Sequence, residues 1–400
     1  MRNRSLGLTL FAGLAIFVAA CSSTAATASP SVEASVAPSV APSVAPSVEP
    51  SVAPSVSVAP QSNLKIGVVT DIGTLNDKNF NEYTYKGAQQ GATDIGAANP
   101  PAVVPKDQSE YAKDIQDFVD QKFDIIVTIG FNMTSATTVA AKANPDTWFI
   151  GVDQTPCVDA TGADDATFAC KGDAATLLPH YISITFKEDQ AGYLAGIVAA
   201  AVTKSNEIGA IGGTTLCAPC VRYIQGYELG AKSVNPSIVV KTAYVTRDFS
   251  AAAFTDQPGG KAFANNFLTT NKKVDVMFQV AGLTGNGVLD AACAKGINGI
   301  GVDVDQFLSY PAAGKCLVTS AEKHLRSAVD QAIKAIADGS AKGGNALFDA
   351  TNDGIGVSPF HDEASNVPAD VQAKLDAALA AMKAGTVVTC PADGCGVGPK

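Results

Sequence analysis

The stretch VVTDIGTLNDKNFN at residues 68–81 places Asp71, Asp77 and Asn81 within a few positions of one phenylalanine, Phe80. Carboxylates and amides hydrogen-bond hydroxyl and amino groups, and an aromatic face stacks on a flat ring, so the set suits a small polar ligand with a planar part. A ring left exposed in so polar a turn forgoes the roughly 1.5–3 kcal/mol available from burial. Two roles are open to Phe80: an apolar staple beneath the following helix, or a stacking platform. Similar residues follow later apolar runs. Gly130 and Phe131 follow DIIVTI, Asp153 follows FIGV, Phe254 and Asp256 follow IVVKTAYV, Gly282 follows DVMFQVA, and Asp303 and Asp305 follow INGIGV.

A second chemistry is suggested by CAPC at residues 217–220. This spacing, between a predicted strand and a predicted helix, is where a helix dipole lowers a thiol pKa in redox centres. An extracellular thiol–disulfide oxidoreductase using CAPC is therefore an alternative reading. The other cysteines argue for a structural role. Beyond Cys21 they fall in neighbouring pairs, Cys157 with Cys170, Cys217 with Cys220, Cys293 with Cys316 and Cys390 with Cys395. Such pairing outside the cytosol reads most simply as four structural disulfides, although spacing alone leaves the connectivity open. His180, His324 and His361 are too scattered for a metal site, and GLTGNG lacks both the P-loop lysine and the dinucleotide fingerprint. We expect no catalysed reaction, no cofactor and no metal.

The elements that must position these residues alternate along the chain. LKIGVVTD, PAVVP, DIIVTIG, TWFIGVD and YISITF read as strands separated by helical patterns such as SEYAKDIQDFVDQ. After the apolar helix EDQAGYLAGIVAAAV the alternation restarts with EIGAIGG, IVVKTAYV, DVMFQV and INGIGVD. Short apolar strands each followed by a helix predict an α/β protein of two doubly wound parallel-sheet lobes with a hinge, like the type I periplasmic binding proteins. Ligands of such sheets sit beyond the carboxyl ends of the strands. The expected boundaries are 64–186 plus about 318–342 for the first lobe and 187–317 plus about 343–400 for the second.

Residues 1–20 combine Arg2 and Arg4 with the apolar run LGLTLFAGLAIFVAA, the pattern of a signal peptide. Cys21 directly after two alanines resembles the bacterial lipobox, which implies a lipidated first residue of the mature chain. Residues 21–63, with SVAP repeated, contain no large apolar side chains and read as a disordered tether. The expected location is thus the cell membrane, lipid-anchored on the extracytoplasmic face. A net charge of -10, from 28 basic and 38 acidic residues, offers no nucleic-acid surface.

VTDIGTLNDKNFNEYTYKGAQQG resembles the opening of the basic membrane protein family of lipoproteins, the substrate-binding components of nucleoside ABC importers. DIIVTIGFNMTSA, FIGVD, ITFKEDQAGYLAG, GYELGA, DVMFQVAGLTGNGV and GVDVDQ continue the likeness in order. The resemblance implies a nucleoside ligand, with a purine favoured, and an ABC permease as partner. A sugar or another small metabolite is the alternative ligand. By the same likeness Phe80 is the first stacking ring and Phe254 the second. Asp71, Asp77 and Asn81 surround the base, Asp153 lies near the ligand, and Gly282, Asp303 and Lys323 contact the sugar. The sequence departs from the family at Leu283, often glycine there, and in CAPC, which the family generally lacks.

Overall fold

The computed structural model describes residues 62–71 and 73–399. The expected signal peptide, Cys21 and the expected tether up to residue 61 lie outside them. Five strands make the first half of the fold: β1 (Ile66–Thr70), β2 (Ala102–Val103), β3 (Ile125–Ile129), β4 (Trp148–Val152) and β5 (Tyr181–Phe186). Between them run α1 (Phe80–Asp94), α2 (Tyr111–Asp120), α3 (Thr134–Ala143) and the short α4 (Ala174–Leu177). After α5 (Glu188–Val202) the plan repeats with β6 (Glu207–Thr214), α6 (Ala218–Val234), β7 (Val239–Thr246), α7 (Gln257–Thr270), β8 (Val276–Val280), α8 (Gly282–Ala294) and β9 (Asn298–Asp303). The chain then forms α9 (Gln306–Ser309), β10 (Leu317–Lys323), α10 (Leu325–Ala337), β11 (Gly344–Phe348), β12 (Ile355–Val357) and α11 (Val371–Lys383).

Two sheets result, ordered β11-β5-β4-β3-β1-β2 and β12-β10-β9-β8-β6-β7. The first is wholly parallel, and in the second only β12 runs antiparallel, to β10. Strands β1, β3 and β8 are buried along their whole length, as parallel strands covered on both faces must be. In each lobe the order reverses beside the first strand, at β1/β3 and at β6/β8. These are the switch points where the loops diverge and leave a crevice. Among the described residues no helix is long and apolar enough to cross a membrane.

The chain passes between lobes at Lys187, at His324 and at residues 349–354. These crossings are tied together by Lys187 N donating to Phe348 O (2.9 Å) and His324 N to Gly354 O (2.9 Å). The last crossings correct the expected boundaries. Strand β10, expected in the first lobe, pairs with β9 in the second sheet, whereas β11, expected in the second lobe, pairs with β5 in the first. Helix α10 lies on α1, and its buried Leu325, Val329, Ile333 and Ile336 recur at helical spacing and face the core. Thus the second lobe contributes β10 first, and only then does the chain return to the first.

Helices α5 and α6 pack so closely that a Cβ on Gly226 would stand 2.0 Å from Asp189 O, and one on Gly192 2.1 Å from Tyr223 O. Only glycine permits this approach. It brings the start of α5, carrying Glu188, against Arg222 and Tyr223 of α6.

Candidate ligand-binding site

The sequence Ile-Gly-Val-Asp closes both strands, Asp153 directly following β4 and Asp303 ending β9. Both aspartates have left-handed backbones, φ 58° and 64°. That conformation is uncommon for a residue with a side chain, and here it turns two carboxylates inward from equivalent strands of the two lobes. Lys323, the last residue of β10, lies between them. Its Nζ is 2.5 Å from Asp153 Oδ2, 3.6 Å from Asp303 Oδ1 and 3.6 Å from Glu188 Oε1. Arg222 Nε donates to the other Glu188 oxygen at 2.7 Å, and Tyr223 Oη donates to Asp303 at 3.2 Å.

All of these groups except Arg222 are buried, which decides their titration. Burial opposes the Lys323 charge, but Asp153, Asp303 and Glu188 together hold its pKa above the ordinary lysine value, so it stays cationic. Burial likewise raises Asp153 and Asp303 despite Lys323. The Lys323 ammonium also sits 4.7 Å from the centre of the Phe80 ring, a cation–π contact.

The first-lobe loop is built by Asp77. Its carboxylate accepts the backbone N–H groups of Asn79 (2.8 Å), Asn81 (2.9 Å) and Glu82 (3.1 Å), capping α1 and setting Phe80 at its first position. Burial pushes Asp77 up to about 6, against those three bonds. Asp71 follows β1 and is raised well above the usual carboxylate range, first by burial and then by the charges of Asp153 and Asp77. Gly130 is required beside it, because a Cβ there would lie 2.0 Å from the Asp71 carboxylate and its φ is 108°.

Phe131 of the first lobe and Phe254 of the second meet edge to face, ring centres 6.3 Å apart. The lobes also bond directly. Asn286 Nδ2 donates to Asp77 O (3.1 Å) and Ser309 Oγ to Lys78 O (2.8 Å). Asn286 is itself held by Gln306 Nε2 (2.9 Å), within a buried amide chain that reaches Gln279 (2.6 Å). The lobes are therefore closed on a cavity enclosing about 630 Å³, open mouth included.

Every ligand position expected from the sequence lines this cavity: Asp71, Asp77, Phe80, Asn81 and Phe131 from the first lobe, then Asp153, and Phe254, Gly282, Asp303 and Lys323 opposite. Asp256 and Asp305, which also follow strands, serve instead as caps, accepting Gly259 N (2.9 Å) and Phe307 N (3.1 Å). Of the two departures from the family, Leu283 is absent from the lining, whereas Cys217, Pro219 and Cys220 form part of it. The structure pairs Cys157 with Cys170, Cys217 with Cys220, Cys293 with Cys316 and Cys390 with Cys395. Sequence reasoning missed Tyr223, which lines the cavity, and Glu188 and Arg222, which brace it. The available signal was the pair of acids opening an otherwise apolar helix at residue 188.

Two hinged parallel-sheet lobes closed on an aromatic and carboxylate cavity define the class of solute-binding proteins. The model of the PnrA-like ABC transporter substrate-binding proteins matches residues 64–390. The chain belongs to that family, whose members are binding components of transporters and not enzymes. It is 29% identical over 78% of its length to the CD4+ T-cell-stimulating antigen of Listeria innocua, covering 84% of that protein. It is 31% identical over 62% of its length to the ABC transporter nucleoside-binding protein BmpA of Lactococcus lactis, covering 65% of that protein. Among solved structures, an ABC transporter solute-binding protein from Aeropyrum pernix aligns with 82% of this chain and 94% of its own, at 21% identity and a TM-score of 0.67. That likeness concerns the fold. Family membership does not favour the oxidoreductase reading of CAPC.

Proposed function

We propose that this substrate-binding protein captures a nucleoside, with a purine favoured, for delivery to an ABC permease, and that it is held at the membrane by a lipid on Cys21. The observation that carries the ligand assignment is the division of the cavity into two parts. One is aromatic, with Phe80, Phe131 and Phe254 available to a planar base. The other is rich in acceptors, with Asp153 and Asp303 around Lys323. Ribose hydroxyls supply donors to those carboxylates. Asn81 Oδ1 and Asp153 Oδ1 are buried without a protein partner, which suits a ligand that donates to them. The excess of carboxylates over cations disfavours a phosphorylated ligand. The Lactococcus relative named as a nucleoside-binding protein supports the same reading. The anchor reading rests on Cys21 following two alanines and on the tether behind it.

Native mass spectrometry of protein purified without the anchor tests this. A released ligand with the mass of a nucleoside is expected; a hexose or pentose mass would move the assignment to a sugar.

A further inference from the structure

We infer that the Cys217–Cys220 bridge is a thiol–disulfide exchange site reached through the ligand cavity, so that a bound ligand shields it and its reduction weakens ligand binding. The inference rests on the cavity being the ligand site, as proposed above. The bridge here is the group modified, not a catalyst.

The geometry of α6 points to this. Ala218, Arg222 and Gln225 share one face of the helix, while Cys220, Tyr223 and Tyr227 share another. The first face is covered by the C-terminal loop closed by Cys390–Cys395. Gln225 Nε2 donates to Gly394 O (2.9 Å), and Gly396 N donates to Gln225 Oε1 (2.8 Å). The second face looks inward. Cys217 and Cys220 are only 3% and 7% exposed, and both line the cavity with Tyr223. A thiol reagent arriving from outside the second lobe meets the C-terminal loop, and one arriving through the open cleft meets the sulfurs. In the closed, occupied state that route is filled by ligand.

The chemistry is ordinary exchange with a small dithiol. Its thiolate attacks one cysteine sulfur, the bridge breaks, and a mixed disulfide forms with the other cysteine leaving as thiolate. The reagent's second thiolate then displaces the protein thiolate and closes its own disulfide. The protein gains two electrons and two protons, and the dithiol is oxidised by the same amount. Opening the bridge frees the first turn of α6, on which the second turn rests with Arg222 against Glu188 and Tyr223 against Asp303. The carboxylate part of the cavity loosens as a result, and affinity falls.

The mature chain with all four bridges is treated with dithiothreitol, quenched with an alkylating agent, and the cysteine peptides are quantified over time. Cys157–Cys170, away from the cavity, is the internal reference. Guanosine, inosine or adenosine, whichever calorimetry shows to bind, is added at a hundred times its Kd. Reduction of Cys217–Cys220 should then slow by about 100-fold, because only unliganded protein reacts, while the reference is unaffected. A second arm needs no ligand. Asn286→Ala with Ser309→Ala removes two of the cross-lobe bonds and should speed reduction of this bridge relative to the reference; Ser309→Ala alone serves if the pair does not fold. A nucleoside that binds yet gives no protection overturns the inference while leaving the ligand reading intact. If no nucleoside binds, faster reduction in the opened variant upholds the cavity route and removes the nucleoside reading. An unchanged rate there overturns the inference as well.

Discussion

The loops after β1 and β6 occupy the same position in the two lobes and are stabilised by different means. In the first, Asp77 gathers three backbone N–H groups and sets Phe80 at the head of α1. In the second, a covalent bridge closes the turn, Cys217 Sγ accepting the Cys220 N–H at 3.2 Å at the head of α6. One loop depends on a buried carboxylate and the other on a disulfide. The first should therefore respond to protons and the second to thiols, within one cavity.

The largest expected effect strikes where the lobes join. Lys323→Met leaves Asp153, Glu188 and Asp303 buried without their shared cation, and removing one partner of such a cluster costs about 3–5 kcal/mol. Denaturant unfolding at pH 7 should show that loss, with part of it recovered at pH 5 as the raised Asp153 and Asp303 protonate. Unfolding that coincides with wild type would mean that the cluster contributes nothing to holding the lobes.

Next in size is the second-lobe loop. Cys217→Ser with Cys220→Ser should cost about 2 kcal/mol, the stabilisation expected for so short a closed loop. Thermal unfolding would reveal it, and an unchanged midpoint would argue that the turn is held by packing alone. In the first-lobe loop, Phe80→Ala should weaken nucleoside binding by about ten-fold or more, equivalent to about 1.4 kcal/mol, with the ligand-free melting temperature barely moved. Calorimetry that finds unaltered affinity together with a marked drop in melting temperature would return Phe80 to the role of an apolar staple.

The smallest effect concerns the carboxylate behind that loop. Asp71 has its pKa raised chiefly by burial. Its favourable contribution is complete below the unfolded-state value and is lost as pH rises through the folded one. Asp71→Asn should thus melt above wild type by a few degrees at pH 8, with the gap closing toward pH 4. A gap that widens on acidification would reverse the assigned direction.

Much of this was legible in the sequence because parallel strands end where their apolar runs end. Asp71, Gly130, Asp153, Gly282 and Asp303 could be placed at strand ends by counting, and the switch-point rule then brings them together. The cap made by Asp77 was hidden, since a carboxylate that turns back onto its own loop has the same spelling as one facing a ligand. Glu188, Arg222 and Tyr223 lie at helix starts whose orientation depends on the α5–α6 contact, which no local period encodes. The exchange of β10 and β11 between lobes was hidden for another reason. Strand β11, GNALF, is a partly exposed edge, and β10 ends in the polar Glu322 and Lys323, so neither shows a pattern naming its sheet. CAPC was readable both as a staple and as lying near the second lobe's cleft edge, where Cys217, Pro219 and Cys220 line the cavity.

The central claim is that one cavity reads a base and a ribose together, and parallel calorimetric titrations of the unliganded wild-type protein test it most directly. A purine nucleoside, its free base and free ribose are titrated in turn. We predict a Kd below about 10 μM for the nucleoside, equivalent to roughly −7 kcal/mol, and much weaker binding of either part alone. Free ribose or a hexose binding as tightly as any nucleoside, with no added affinity from the base, would contradict it.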